Sequence, residues 1–251
     1  IEDPAGISFF QKGNKFNNNN LPTIMDFQLY KQSIPSFTEE TAPFKGLTLA
    51  YNHLNYDFVY PDVFHLLRFL ENHDTKRFLL TKPENLNAFK GGMAFLLTIP
   101  GIPQLYYGTE ILMYGDKNHS DGYIRLDFPG GWKTDKQNCF VESGRSQLQN
   151  EAFTFLKTLL HWRKGNKAIS KGSMIHFKPF NGIYVIQRKY KNRSAIIIIN
   201  GITAPAIFVA SRYREILTET HIGIDIFTKK EIDLSRNLEM KPRDVLILEM
   251  Q

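Results

Sequence analysis

A single cysteine, Cys139, occurs in 251 residues. That excludes an internal disulfide framework and a zinc site built from thiolates, and it leaves the cellular compartment open. No apolar run approaches the ~18 residues of a membrane-spanning helix. Although 31 Lys and Arg against 25 Asp and Glu give a net charge of +6, no block of five or six like charges forms, so the basic stripe that a nucleic acid requires is missing. The opening IEDPAGISFFQKGN has neither an initiator Met nor a basic-then-apolar leader; it enters directly on apolar and aromatic residues and reads as a cut edge. What the chain does have is apolar substance, 42% hydrophobic and 13% aromatic. This suffices for one large core or for two domains of ordinary size.

Two textures meet near Gly165. Before it, short apolar runs alternate with segments of helical period; beyond Lys171 almost everything has strand character. In SQLQNEAFTFLKTLLHWRKG the residues Leu148, Ala152, Phe155, Leu156, Leu159 and Leu160 form one apolar face. Ser146 with Gln149 makes a capping box, Arg163 and Lys164 suit the last turn, and Gly165 suits a left-handed residue after it. A second helix is expected from Pro83 to Thr98, with Thr81 and Glu84 as a start signal. Its Gly91 and Gly92 are read as sites of close packing by a neighbouring backbone. Runs at Thr23–Phe27, Leu66–Leu70 and Pro103–Tyr107 suit buried parallel strands of β/α units, which carry functional residues in the loops after their C-terminal ends.

The last stretch contains MIHFKPF, GIYVIQRKY, SAIIIIN, PAIFVAS, REILTET, GIDIFT and DVLILEM, divided by turns such as Asn181-Gly182, Lys191-Asn192 and Asn200-Gly201. This spacing predicts an antiparallel sandwich that folds cooperatively by itself. Ile196 to Ile199, apolar on both faces, reads as a central strand covered on each side.

One short stretch stands apart. FLENHDTKR ends a hydrophobic run on Glu71, Asn72, His73 and Asp74 in succession, a grouping costly to bury and unnecessary in an ordinary turn. An isolated His-Asp pair would more often be a turn cap beside a hydrogen-bonded imidazole, so its neighbours decide.

FLENHDTKRFL resembles the segment ending barrel strand seven of the α-amylase family of glycoside hydrolases, and PGIPQLYYGTEI resembles the strand-eight segment of the same family. QKGNKFNNNNLPTIMDFQL and RLDFPGGW are similar to segments of its neopullulanase and cyclomaltodextrinase branch. The resemblance implies an α/β plus all-β architecture: the last strands and helices of a (β/α)₈ barrel over residues 1–168, then an antiparallel β-sandwich over 169–251. It implies a retaining hydrolase or transferase of α-glucosidic bonds in starch, maltodextrin, cyclodextrin or pullulan. By this likeness Asp74 is the catalytic acid that stabilises the transition state, and His73, Asn72 and Arg77 bind substrate, with Arg77 also supporting the Asp74 loop by charge pairing.

Retaining chemistry needs two carboxyl groups about 5–5.5 Å apart. No segment resembles the family's strand-three, strand-four or strand-five motifs, so nucleophile and general acid have no counterparts, and Glu2 and Asp3 do not take those roles. A complete barrel takes about 250 residues, against roughly 165 before the sandwich. The chain is therefore expected to be a fragment, inactive alone, whose open barrel edges are covered by the missing N-terminal portion or a neighbouring copy. The alternative is a non-catalytic carbohydrate-binding or assembly protein of the same descent. No cofactor is expected and no metal ligands are assigned; a structural calcium loop at Asp116, Asp121 and Asp127 is left open but unsupported, since no EF-hand-like run is present. Asp26 reads as a loop anchor and Glu110 as support at the barrel rim. Tyr106, Tyr107, Phe128 and Trp132 are candidates for stacking on sugars, with core packing the competing use. The partner is an α-linked glucan oligosaccharide; periplasm or cell surface would suit such a substrate.

Overall fold

The computed structural model describes residues 8–13, 20–79 and 86–251. Three short strands, β1 (Ile24–Met25), β2 (Leu66–Arg68) and β3 (Ile102–Pro103), form a parallel sheet in the order β1-β2-β3, with Ile24 opposite Leu66 and Leu67 opposite Ile102. The expected runs Thr23–Phe27 and Leu66–Leu70 each contain a strand shorter than the run, whereas β3 overlaps the run Pro103–Tyr107 only at Pro103.

Between β1 and β2 lie two helices, α1 (Phe27–Thr38) and α2 (Leu47–Leu54). Asp26, directly after β1, starts α1 by accepting the Leu29 N–H at 2.9 Å. The same carboxylate meets His53 Nε2 at 3.0 Å and Arg68 Nε at 3.2 Å. Burial opposes its ionisation, but the His53 hydrogen bond and the charges of His53 and Arg68 outweigh that and hold its pKa below the ordinary range. Asp26 is thus an anchor joining α1, α2 and β2.

Between β2 and β3 lies α3 (Leu86–Thr98), buried on nearly every side; its expected start signal at Thr81 and Glu84 falls outside the described residues. Gly91 and Gly92 do mark close packing, although what approaches is aromatic rather than backbone. A Cβ on Gly92 would meet the Phe78 ring at 2.6 Å, and one on Gly91 the Phe37 ring at 3.3 Å. The C-terminal end of α3 and the turn after it face three arginines. Arg163 donates to Leu97 O (2.6 Å) and Gly101 O (3.2 Å), Arg188 to Thr98 O (2.5 Å), and Arg68 to Pro100 O (3.0 Å). A helix end leaves its last carbonyls unmet and partly negative. These guanidiniums satisfy them and tie β2 and β3 to the rest of the molecule.

A single turn, α4 (Asp121–Ile124), precedes the long α5 (Gln147–Gly165) and the short α6 (Lys167–Lys171). The Ser146–Gln149 capping box is present in both directions. Gly165 remains inside α5, and Asn166 ends it with φ −96° while its side chain caps α6, so the expected left-handed exit does not occur. Ala152, Phe155, Leu156 and Leu159 are buried as expected, whereas Leu148 and Leu160 are exposed. Leu160 is turned about 100° from Leu159, and Leu148 sits in the first turn.

The C-terminal part is antiparallel. Strands β4 (Ser173–Phe180), β5 (Ile183–Tyr190), β6 (Arg193–Asn200), β7 (Ala206–Phe208), β8 (Ile222–Asp225), β9 (Glu231–Asp233), β10 (Leu238–Met240) and β11 (Val245–Met250) form a six-stranded sheet, β4-β5-β6-β11-β8-β9, and a two-stranded ribbon, β7-β10. REILTET is not a strand; most of it lies in 3₁₀ turns over Ala210–Ile216 and the loop that follows. β6 is interior, between β5 and β11. Its alternate residues serve two cores: Ile196 and Ile198 face the ribbon side with Phe208 and Met240, while Ile197 and Ile199 join Tyr184, Ile186 and Ile247 against residues of α3 and α5 such as Phe89, Met93 and Phe155. One apolar core therefore runs from the helices into the sheet, contrary to the expectation of a self-contained sandwich.

His176 sits in the seam between α2 and β4. Its Nδ1 lies 2.8 Å from the Tyr184 hydroxyl and its ring 4.9 Å from that of Tyr51. Burial pushes its pKa down to about 4 from 6.5. The imidazole is then neutral in the folded chain, while the unfolded chain takes up its proton over that interval, so this group's contribution to stability falls as pH drops from about 6.5 to about 4. A His176→Phe variant is expected to melt with a shallower loss over that window than the parent, as followed by circular dichroism. Parallel curves would refute it.

Candidate glucan site

The loop after β2 separates FLENHDTKR into a buried base and an exposed tip. Glu71 is buried, with Oε1 accepting from Thr109 Oγ1 and, at 3.3 Å, from Arg77 Nη1; Oε2 accepts the Phe78 N–H. Burial raises its pKa, and Arg77 with the Thr109 hydrogen bond opposes the rise. Arg77 is 0% exposed. It also donates to Tyr107 O (2.7 Å) and Ile124 O (3.1 Å), and its guanidinium lies 4.0 Å from the Tyr106 ring centre. The expectation that Arg77 binds substrate is corrected on this ground: it lies sealed beneath the loop, and its charge partner is Glu71, not Asp74.

Asn72, also expected to bind substrate, is buried as well and shapes the turn. Its side-chain oxygen accepts the Asp74 N–H at 2.8 Å, its own N–H donates to Thr75 Oγ1 at 2.8 Å, and the Thr75 N–H returns to Asn72 O at 3.3 Å. These short-range bonds turn His73 and Asp74 outward, with side chains 60% and 54% exposed.

At the tip, Asp74 Oδ2 lies 3.2 Å from His73 Nε2 and Oδ1 lies 3.2 Å from Arg125 Nη2. Arg125 also donates through Nε to His73 O at 2.8 Å, and Lys117 donates to Asp74 O at 2.7 Å. Asp121 closes the network, 3.1 Å from the same Arg125 Nη2 and 3.6 Å from Lys117 Nζ. Two carboxylates thus stand near one another with a guanidinium between them. That arrangement orients the Asp74 carboxylate. Arg125 and Lys117 come from the stretch after the YYGTEI segment, and no feature short of the fold links them to Asp74.

The remaining candidates divide. Tyr106 packs on Arg77, and its hydroxyl is pushed up to about 12 by burial and by the hydrogen bond with Tyr107. Tyr107 is 40% exposed, with its hydroxyl donating to Leu126 O at 2.7 Å. Phe128 meets Phe140 at 4.6 Å, and Trp132 is exposed. Glu110 lies in the 3₁₀ turn Thr109–Ile111 and is half-buried. Asp116 is bound to the Asn118 N–H and faces Lys76, Asp121 belongs to the Arg125 network, and Asp127 accepts from the Trp132 indole. The three acids are held by separate partners.

Residues 174–249 match the family description Cyclo-malto-dextrinase C-terminal domain. A cyclomaltodextrinase of Thermoanaerobacter pseudethanolicus is 27% identical over 184 residues, covering 73% of this chain and 28% of that protein. Over most of its length the chain is similar to members of the α-amylase family. A cyclomaltodextrin glucanotransferase of Paenibacillus macerans, another relative, is 27% identical over 188 residues, covering 74% of this chain and 23% of its own. The chain spans about a quarter of the length of these curated relatives. Among solved structures, the α-amylase from Geobacillus thermoleovorans complexed with acarbose has the same fold over 100% of this chain and 52% of its own, with a TM-score of 0.74 at 20% identity. These α-amylase-family relatives are glucan hydrolases and transferases.

Proposed function

We propose that this chain forms one side of the sugar cleft of a retaining α-glucan hydrolase or transferase, with residues 1–168 as the closing part of a (β/α)₈ barrel and 169–251 as its C-terminal β-domain. The observation that carries this reading is the exposed His73–Asp74 tip after the middle strand of a parallel sheet, its carboxylate oriented from both sides. Positive charge grows on the sugar ring as a glycosidic bond breaks, and hydrogen bonds that strengthen at that moment lower the barrier. Asp74 accepts such bonds from ring hydroxyls, and His73 holds the same ring. Asn72 acts beneath them by shaping the turn, and Arg77 by holding Glu71. The nucleophile and the proton donor belong to barrel strands beyond the β1 edge, from the same polypeptide or a neighbouring copy. An α-linked oligosaccharide is the ligand, in keeping with the acarbose complex of the Geobacillus α-amylase.

Two measurements test this. The purified chain incubated with maltodextrin is expected to release no reducing ends above buffer, because covalent attack and proton donation lie elsewhere. Maltoheptaose is expected to shift the backbone amide resonances of His73 and Asp74 saturably, with the shift weakened in Asp74→Asn. Reducing-end release that vanishes in Asp74→Asn would show that the chain cleaves unaided and would overturn the division of roles. Unperturbed His73 and Asp74 resonances would remove the sugar from this loop and leave an assembly role.

A further inference from the structure

Past Arg125 the chain carries an aromatic group that the Asp74 tip does not use. Trp132 is 63% exposed, yet it is held in one orientation, its indole N–H donating to Asp127 Oδ2 at 2.9 Å. Its backbone is clamped as well: the Gly130 and Trp132 N–H groups donate to Asp135 Oδ2 at 2.7 and 3.1 Å, and the Asp135 N–H returns to Trp132 O at 3.1 Å. Cys139 N–H closes the loop onto Pro129 O at 2.9 Å. Gly130 has φ 105°, and a Cβ there would meet Asn138 Oδ1 at 2.5 Å, so the turn has no slack.

A lone apolar side chain in water means little by itself. One whose rotamer is already fixed has little more freedom to lose when a ligand lands on it. With its N–H engaged, this indole offers only ring faces. Asp127 and Asp135 accept hydrogen bonds, and residues 127–136 carry no net charge, with Lys133 and Lys136 matching the two acids in number. The matching ligand is uncharged, has a flat apolar face, and carries hydroxyl donors at its edge, which describes a pyranose ring. Position narrows the choice: Arg125, bound to Asp74 and His73 O, is two residues from Asp127, and Tyr107 fixes Leu126 between them.

We infer that Trp132 is a stacking platform for a glucose unit of the same α-linked chain that reaches Asp74, a second contact point that favours longer oligosaccharides. This rests on the glucan reading above. The chain has two tryptophans, and the other, Trp162, donates its indole N–H to Glu249 Oε2 at 3.3 Å, so two indole N–H resonances serve as probe and internal control. On titration with maltoheptaose the Trp132 resonance is expected to shift saturably and the Trp162 resonance to stay in place. Trp132→Ala, an exposed position outside the core, is expected to weaken maltoheptaose binding about tenfold. A shift at Trp132 without one at His73 and Asp74 leaves a sugar contact at Trp132 but overturns both the Asp74 reading and the sharing of one glucan chain between the two. Shifts at His73 and Asp74 without one at Trp132, or unchanged affinity in Trp132→Ala, overturn the platform alone. No shift at any of these positions at about 10 mM ligand overturns both.

Discussion

Arg77→Met is expected to destabilise the chain by about 3–5 kcal/mol, the range for removing one partner of a buried ion pair. Glu71 is sealed with Arg77, and its other partners among the described residues are uncharged, Thr109 Oγ1 and the Phe78 N–H. Without the guanidinium, desolvation acts on the carboxylate unopposed by charge, and its pKa moves further up. A carboxyl whose folded pKa is raised above its unfolded value stabilises the fold least once pH passes that folded value. The deficit relative to the parent at the same pH should therefore be smaller near pH 5 than near pH 8. Tyr107 O and Ile124 O also lose their donor, which loosens the stretch that delivers Arg125 to Asp74. Urea unfolding at the two pH values measures both effects, and a double variant that also changes Glu71→Gln should recover part of the loss. A pH-independent deficit below about 1 kcal/mol would show that the pair is not structurally important.

How legible this architecture is from sequence depends on the range of the interactions. The parallel strands, the α5 capping box and the interior position of β6 follow from residues close together in the chain, and each was readable from spacing and propensity. α1 was not anticipated: Pro35 lies inside it, yet Asp26 starts it and tertiary packing sustains it. REILTET has strand composition but folds as 3₁₀ turns, burying Ile216 against the ribbon core instead of adding a strand. At the site, the His73–Asp74 tip was legible because its neighbours in sequence are its neighbours in space. The partners of Asp74 were not, since Arg125 and Lys117 reach it across 51 and 43 residues. Arg77 misled for the converse reason, because a cation three residues after an acid invites pairing and only the fold shows it turned inward to Glu71.

A segment beginning at Gly172, carrying the whole six-stranded sheet and its ribbon, is expected to be insoluble or self-associated when produced alone. Its strands are complete, so its hydrogen-bond ladders would survive; its apolar surface decides the outcome. Tyr184, Ile186, Ile197, Ile199 and Ile247 are each at most 2% exposed in the full chain, and they share a core with residues of α3 and α5. Uncovering a side chain of this size costs about 1.5–3 kcal/mol. Five of them come to the order of 10 kcal/mol, comparable with the entire stability of a typical domain, even as an upper bound. Arg188 adds to the cost, since it spans the seam to Thr98 O and would lose that acceptor. By the same reasoning the intact chain should unfold in one transition seen alike by tryptophan fluorescence, which reports on α5 and the Trp132 loop, and by far-ultraviolet circular dichroism, which also reports on the sheet. A monomeric segment with a dispersed amide spectrum, or two separated transitions in the intact chain, would show instead that the sheet is stable without its helices.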